Sequence, residues 1–252
     1  VLISIFFIFP VIWMAVTSIK SPVDAANFLQ FSGQVKLSNY IDAWNSAGFG
    51  VSFLNTFVVA IGTVLLSTFA GFLTAYSLTR SLMKDSNKSR FIRWINSMRI
   101  IPEMVFLIPL FVLYQTSGLF DTKIGLILAF QILTLPYCIL LLCNFISEVP
   151  EDLEWAGRLD GCSEIKVLTK IVLPLSLPGI VTSGILSFIT VWTSLIFPLT
   201  LTYSNAQTVA VSISRFKGYG SFNWPVMAAA AVIVTIPQII LFAFGNKYLI
   251  SG

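Results

Sequence analysis

Long uncharged runs separated by short polar stretches set the plan of this chain. Residues 1–19 carry no charge, and none falls between Asp42 and Arg80. Uncharged residues number 17 between Glu103 and Asp121, 24 between Lys123 and Glu148, 44 between Lys170 and Arg215, and 29 between Lys217 and Lys247. A helix needs about 20 apolar residues to cross a bilayer. The pattern predicts an all-α, polytopic membrane protein: a single transmembrane domain over residues 1–252 with six helices, at roughly 1–19, 51–77, 101–118, 124–147, 176–200 and 224–246. Pro10, Pro102, Pro109, Pro136, Pro178, Pro198 and Pro237 fall in or beside these segments. An intramembrane proline frees a carbonyl and bends a helix, so these are packing features or hinges. Arg99 and Glu103, four apart at the head of the third segment, are expected to pair on one helix face.

One stretch breaks the pattern. From Glu148 to Pro174 lie six of the chain's eleven acids and three of its fifteen bases. Pro150 suits the first turn of a helix, with Glu151 and Asp152 at its positive end. Leu153, Ala156 and Leu159 recur at helical spacing. Asp160-Gly161 can close that helix, because glycine takes a left-handed turn without strain. Ser163 can cap a second helix with Val167, Leu168 and Ile171 on one face, and Pro174 is expected to stop it. The prediction is a two-helix loop over 148–174, between the fourth and fifth spans, that offers a docking surface to a soluble partner.

Composition agrees. The chain is 56% hydrophobic and 10% charged, with a mean hydropathy of +0.88, where a soluble domain carries roughly 25% charged residues. It is apolar from Val1 onward, without the basic start or small-residue cleavage site of a signal peptide; further chain before it is expected. Ten Lys and Arg residues (80, 84, 88, 90, 93, 99, 158, 166, 170 and 247) fall on one side of the six-span plan and five (20, 36, 123, 215 and 217) on the other. That bias places both termini and the 148–174 loop in the cytoplasm. The absence of histidine removes the commonest general base and metal ligand. Cys138, Cys143 and Cys162 lack metal or disulfide spacing and read as small buried hydrophobes. No phosphate-binding G-x-x-x-x-G-K-[ST] occurs, so the chain is not expected to hydrolyse ATP by that route, to act as an enzyme, or to hold a metal or cofactor. Ion-coupled carriers bury acids or bases in mid-membrane; the middles of spans one, two, four, five and six have none. The work of concentrating a solute must then come from another subunit.

At the charged loop the chain resembles a known family. Ala156-Gly157-x-x-Asp160-Gly161, with Ile171-x-Leu173-Pro174 beginning ten residues beyond the glycine, is similar to the EAA loop of membrane subunits of bacterial ATP-binding-cassette importers. That pattern reads E-A-A, three residues, G, nine residues, I-x-L-P. Aligned on Gly161, its first positions hold Trp155, Ala156 and Gly157, and Glu154 lies one place early. Ser18-Ile19-Lys20, Asn55-Thr56, Arg99-Ile-Ile-Pro102, Ile108-Pro109-Leu110, Leu135-Pro136, Met227-Ala228-Ala229, Ile236-Pro237 and Lys247-Tyr248-x-x-x-Gly252 follow the order of the carbohydrate branch. Where that branch often has Trp-Asn-acid in span five, this chain has Trp192-Thr193-Ser194 before Phe197-Pro198-Leu199.

The resemblance implies a multi-pass permease of the bacterial inner membrane that moves a sugar, above all a di- or oligosaccharide, by alternating access. It implies a second homologous permease as heterodimer partner, two ATPase subunits carrying the ATP and Mg, and an extracellular solute-binding protein. The ATPase-coupling surface would be Glu151, Leu153, Glu154, Trp155, Ala156, Gly157, Asp160, Gly161, Leu173 and Pro174. Membrane lipid surrounds such a chain, and no nucleic acid is involved.

A neutral sugar asks for hydroxyl, amide and aromatic groups. Asn55, Gln131, Tyr137, Thr190, Trp192, Thr193, Ser194 and Phe197 offer them along the spans, although helix–helix hydrogen bonds ask for the same types. Glycerol phosphate, an amino acid or a polyamine is the alternative cargo, disfavoured by the lack of mid-span charge. An ion-coupled carrier is the alternative class.

Overall fold

The structure, a computed structural model, describes residues 2–25, 35–80, 84–215 and 223–250, and among these every regular element is a helix. Lipid leaves no other choice for an open chain, since each backbone N–H and C=O must find its partner within its own segment. In order the elements are α1 (Leu2–Ser18), α2 (Pro22–Ala25), α3 (Ser38–Asn45), α4 (Phe49–Arg80), α5 (Asp85–Ile100), α6 (Met104–Ser117) and α7 (Lys123–Ser147). They continue with α8 (Glu151–Leu159), α9 (Glu164–Val167), a π turn (Leu168–Val172), α10 (Leu173–Leu175), α11 (Leu177–Thr193), α12 (Ile196–Leu201), α13 (Val209–Ser214) and α14 (Trp224–Ile250).

Helices α4, α7 and α11 form the centre, with α14 against α11 and α1 against α14. Gly71 lets α4 approach α7 closely: a Cβ there would sit 3.1 Å from that of Cys138, the kind of small-residue contact that replaces the hydrophobic drive absent in lipid. Trp192 stacks on Phe188 with ring centroids 5.0 Å apart and meets the Phe53 edge at 5.4 Å. Polarity is partly inverted relative to a soluble protein. Thr63, Ser67, Thr134, Ser183 and Ser187 are buried, whereas Phe6, Leu54, Leu65, Phe69, Ile108 and Phe244 are exposed. An exterior so rich in large apolar side chains belongs in hydrocarbon.

Among the described residues three single helices are long and apolar enough to cross a membrane: α4, α7, and Trp224–Asn246 of α14; the number rises to five if each of two bent pairs is one span. The segment predicted at 1–19 corresponds to α1, a shorter apolar helix. The third span is changed most. Ile101 takes an extended backbone, φ −71° and ψ 122°, as a residue before proline prefers, and α5 meets α6 at 91°. The expected Arg99–Glu103 pair is therefore not made; with a bend between them the two no longer share a helix face, and neither joins an ion pair among the described residues. The fifth span breaks at Ser194, which is extended at ψ 132°, because the ring of Pro198 crowds the carbonyl four residues back. Residues 217–222 and the terminal Gly252, named in the sequence reading, lie outside the described residues.

Candidate functional site: a charged elbow and an open cavity

The 148–174 stretch folds as an elbow at one end of α7. Pro150 takes the N-cap position, and Glu151, Asp152 and Glu154 occupy the first turn of α8, where the helix dipole favours acids. The helix ends as expected. Gly161 adopts φ +81°; its N–H donates to the Arg158 carbonyl at 3.0 Å and that of Cys162 to the Gly157 carbonyl at 2.9 Å, the paired bonds of a Schellman close. Ser163 stands at the N-cap of α9, but its side chain makes no capping bond.

One expectation is corrected here. Pro174 does not stop the second helix. The chain passes through a π turn over Leu168–Val172 into α10 and breaks only at Ser176, where the axis bends 72° into α11. A wider turn gives the carbonyl four residues before Pro174 room against the proline ring. The apolar stripe of α8 lies on its outer face. Leu153, Ala156 and Leu159 are exposed, Leu159 at 88%, while Glu154, 1% exposed, and Gly157 turn inward. A Cβ on Gly157 would lie 2.6 Å from Ile171, so the glycine is what lets the two arms of the elbow close. Val167 and Val172 are buried behind it with Leu168 and Ile171, on the face the sequence predicted, packed with Phe72, Leu142 and Ile146.

Glu154 is held by residues that sequence reasoning did not assign to the site. Arg80 Nε donates to its Oε1 at 2.7 Å, Tyr76 donates its hydroxyl to Oε2 at 3.0 Å, and Arg158 lies 3.6 Å away. Arg80 also reaches Glu151 at 3.5 Å and the carbonyls of Ile146 and Val149 at 3.0 and 2.7 Å. Arg158 makes a two-toothed bond with Glu164, 2.8 and 3.1 Å, and its guanidinium lies 4.9 Å from the Trp155 ring centre. The Arg158 bond holds the Glu164 carboxyl below its ordinary range. Glu151, Leu153, Trp155, Asp160, Gly161, Leu173 and Pro174 face outward. The signal for Arg80 was its place as the first charge after the uncharged run from Asp42; it was read only as an orientation marker.

At the opposite end of α7, Asp121 sits in left-handed backbone at φ 54°. Its carboxylate accepts from the backbone N–H groups of Tyr203, Ser204, Asn205 and Ala206 at 2.9 to 3.2 Å. Partial burial pushes this carboxyl up, but the four N–H donors outweigh it and hold it down to about 2. The Asn55 amide donates to the carbonyls of Asn205 and Gln207 on the same loop, at 2.9 and 3.2 Å.

Of the residues proposed to line a path, the structure brings Tyr137 and Thr190 into one open cavity of about 450 Å³ with Arg99, Asn144, Leu140, Leu141 and Leu186. Tyr137 donates to Ser187 at 2.9 Å. Gln131 and Ser194 each have a buried side-chain oxygen without a hydrogen-bond partner, and Thr193 is exposed. Asn55, Trp192 and Phe197 are buried in the scaffold, with Trp192 donating to the Val234 carbonyl at 3.0 Å.

An all-helical bundle with a lipid-facing exterior, an anchored polar elbow and an open cavity defines a multi-pass membrane protein of the transporter kind. Residues 67–251 match the family described as binding-protein-dependent transport system inner membrane component, and the chain belongs to it. The sulfoquinovosyl glycerol transport system permease protein SmoH of Agrobacterium fabrum is 32% identical over 248 residues, covering 97% of this chain and 86% of that protein. The trehalose transport system permease protein SugB of Mycobacterium tuberculosis is 30% identical, covering 96% and 89%. Among solved structures, a bacterial ABC transporter that imports the acidic polysaccharide alginate superposes with a TM-score of 0.83 at 21% identity, over 98% of this chain and 92% of that one; it shares the fold.

Proposed function

We propose that this chain is a permease subunit of an ATP-driven bacterial sugar importer and that an ATPase subunit grips it at the 148–174 elbow. The observation that carries the reading is the two-faced elbow: anchored within through Glu154 and Gly157, it leaves Leu153, Trp155 and Leu159 bare. Exposed large apolar groups on a charged segment mark a surface meant for a protein partner. The relatives named for trehalose and sulfoquinovosyl glycerol support a sugar or glycoside as cargo, above all a di- or oligosaccharide.

In this reading the chain crosses the inner membrane six times, with α6 in the third crossing and α11 in the fifth. The Lys and Arg bias puts both termini and the elbow in the cytoplasm. A second, homologous permease completes a heterodimer; two ATPase subunits carry the ATP and Mg, and an extracellular binding protein delivers the solute. Closure of the ATPase pair moves the elbow and switches the side to which the cavity opens. Tyr137 and Thr190 face the sugar there with Asn144, and Gln131, Thr193 and Ser194 continue the path. Asn55, Trp192 and Phe197 hold its walls. Purification of the intact complex tests this. ATPase subunits should co-purify with the wild-type chain and be lost from a Leu153→Ser/Trp155→Ser double variant that keeps its fold. A complete particle with no ATPase in it would overturn the proposal.

Arg99 favours a second reading of the cargo. It is the one charged residue lining the cavity, and a guanidinium suits carboxylate, sulfonate or phosphate as well as hydroxyls. A glycoside bearing an acidic group fits it. An affinity panel of neutral and acidic glycosides on the cognate binding protein separates the two readings.

A further inference from the structure

We propose that Arg80 welds the elbow to the adjoining ends of α4 and α7, so that α8 and those two helices move as one body. The inference rests on the functional reading above and adds the route that force takes into the membrane.

Three elements meet at this one side chain. Arg80 is the last residue of α4, and its side chain is only 11% exposed. A guanidinium offers five donors in a fixed fork. Here the fork reaches Glu154 and Glu151 on α8, the carbonyl of Ile146 in the last turn of α7 and that of Val149 just beyond it. The last carbonyls of any helix lack an intrahelical partner, so Arg80 serves as the C-terminal cap of α7 while it pairs with α8. Tyr76, one turn earlier on α4, holds the other Glu154 oxygen at 3.0 Å. Drawing α8 away from α4 would strand a carboxylate in a dry site and uncap α7 in the same movement, and an uncompensated buried charge is among the most unfavourable local changes a fold can suffer.

The other arm is built differently. It leaves the elbow through Ser176, at φ −88° and ψ 4°, with the 72° bend into α11, and the buried Ser176 hydroxyl has no hydrogen-bond partner. No ion pair crosses that joint among the described residues. The elbow is fixed on the α4/α7 side and jointed on the α11 side. Displacement of α8 therefore carries the adjoining ends of α4 and α7 with it, and the bend at Ser176 takes up the motion relative to α11.

Electron–electron resonance distances in the intact complex, with the three native cysteines replaced by alanine, test the weld. One label pair is Asp152→Cys with Ser77→Cys, across the weld; the other is Asp152→Cys with Thr193→Cys, across the joint. All three positions are exposed. Between the nucleotide-free and ATP-vanadate states, the 152–77 distance should stay a single narrow peak while the 152–193 distance shifts. A 152–77 distance that moves between states in the otherwise wild-type chain overturns the weld, whatever the variants do. In R80Q, and in R80Q/E154Q, which removes both charges together, the 152–77 peak should broaden and become state-dependent. A narrow, unchanged peak in either variant also overturns it. If both distances stay fixed with ATPase bound, the ATP-driven reading fails, and the weld is still decided by the width of the variants' 152–77 peaks.

Discussion

Trp155 and Glu154 are neighbours on one turn of α8 and face opposite surroundings. The Trp155 ring is 59% exposed, against 1% for Glu154. Trp155→Ala should leave thermal unfolding of the purified complex almost unmoved, within about 0.5 kcal/mol, while weakening retention of the ATPase. Glu154→Gln should do the reverse, lowering the melting temperature through a loss of roughly 3 kcal/mol, the low end for a broken buried pair because Arg80 keeps its two carbonyls. Gly161 tests backbone rather than packing: a Cβ there would meet nothing within 4 Å, but φ is +81°. Gly161→Leu should strain the elbow by about 1–2 kcal/mol and lower uptake per ATP hydrolysed; Gly161→Asn, which tolerates left-handed backbone, should be milder. Asp121 gives a pH test. Its carboxyl titrates at about 2 rather than 3.8. A depressed value means stabilisation that is complete above the ordinary value and lost as pH falls through about 2. Hydrogen exchange at Tyr203–Ala206, corrected for intrinsic rates, should thus show unchanged protection from pH 7 to about 4.5 and lose it throughout that range in Asp121→Ala. The turn at Gly161 was legible because glycine spacing reports backbone directly. The roles of Arg80 and Asp121 were not, because each depends on partners some 70 to 85 residues away in sequence.

At the scale of elements, hydrophobic runs located the helices and misjudged their breaks. α4 and α7 run through where spans were expected, and the Gly71 contact that joins them is a fitted one. Gly71→Leu should force the two helices apart and lower stability by roughly 1–3 kcal/mol, seen as a lower melting temperature in detergent. The break at Ser176 instead of Pro174, the 91° bend at Ile101-Pro102 and the interruption at Ser194 all lie near prolines the sequence displays. A proline shows that one hydrogen bond is missing; whether the helix ends, bends or widens into a π turn depends on what packs beside it. The buried face of α8 was not legible for a related reason. Apolar periodicity marks one side of a helix, but it does not show that the inward side is held by a carboxylate whose counter-charge sits on another helix.

For the molecule as a whole, the polarity of the surroundings is the controlling quantity. Phe69 on α4 points outward at 66% exposure, whereas Ser67, two residues away, is buried beside Ser187 at 3.3 Å. Phe69→Asp should impair membrane insertion by roughly 3 kcal/mol, read as loss of chain from the membrane fraction, while Ser67→Ala should change stability by only about 0.6 kcal/mol. The sequence alone determined the solvent: its uncharged runs are too long and too apolar for water, and that required helices before any contact was known. It also determined where the chain leaves the apolar phase, since 148–174 gathers charges that hydrocarbon would exclude. The tertiary structure decided the rest. Which face of α8 is buried, which arginine holds Glu154, which polar groups share a cavity and which only brace a wall all depend on distances between helices. Those distances are fixed by close packing of side chains remote in sequence, and no local pattern encodes them.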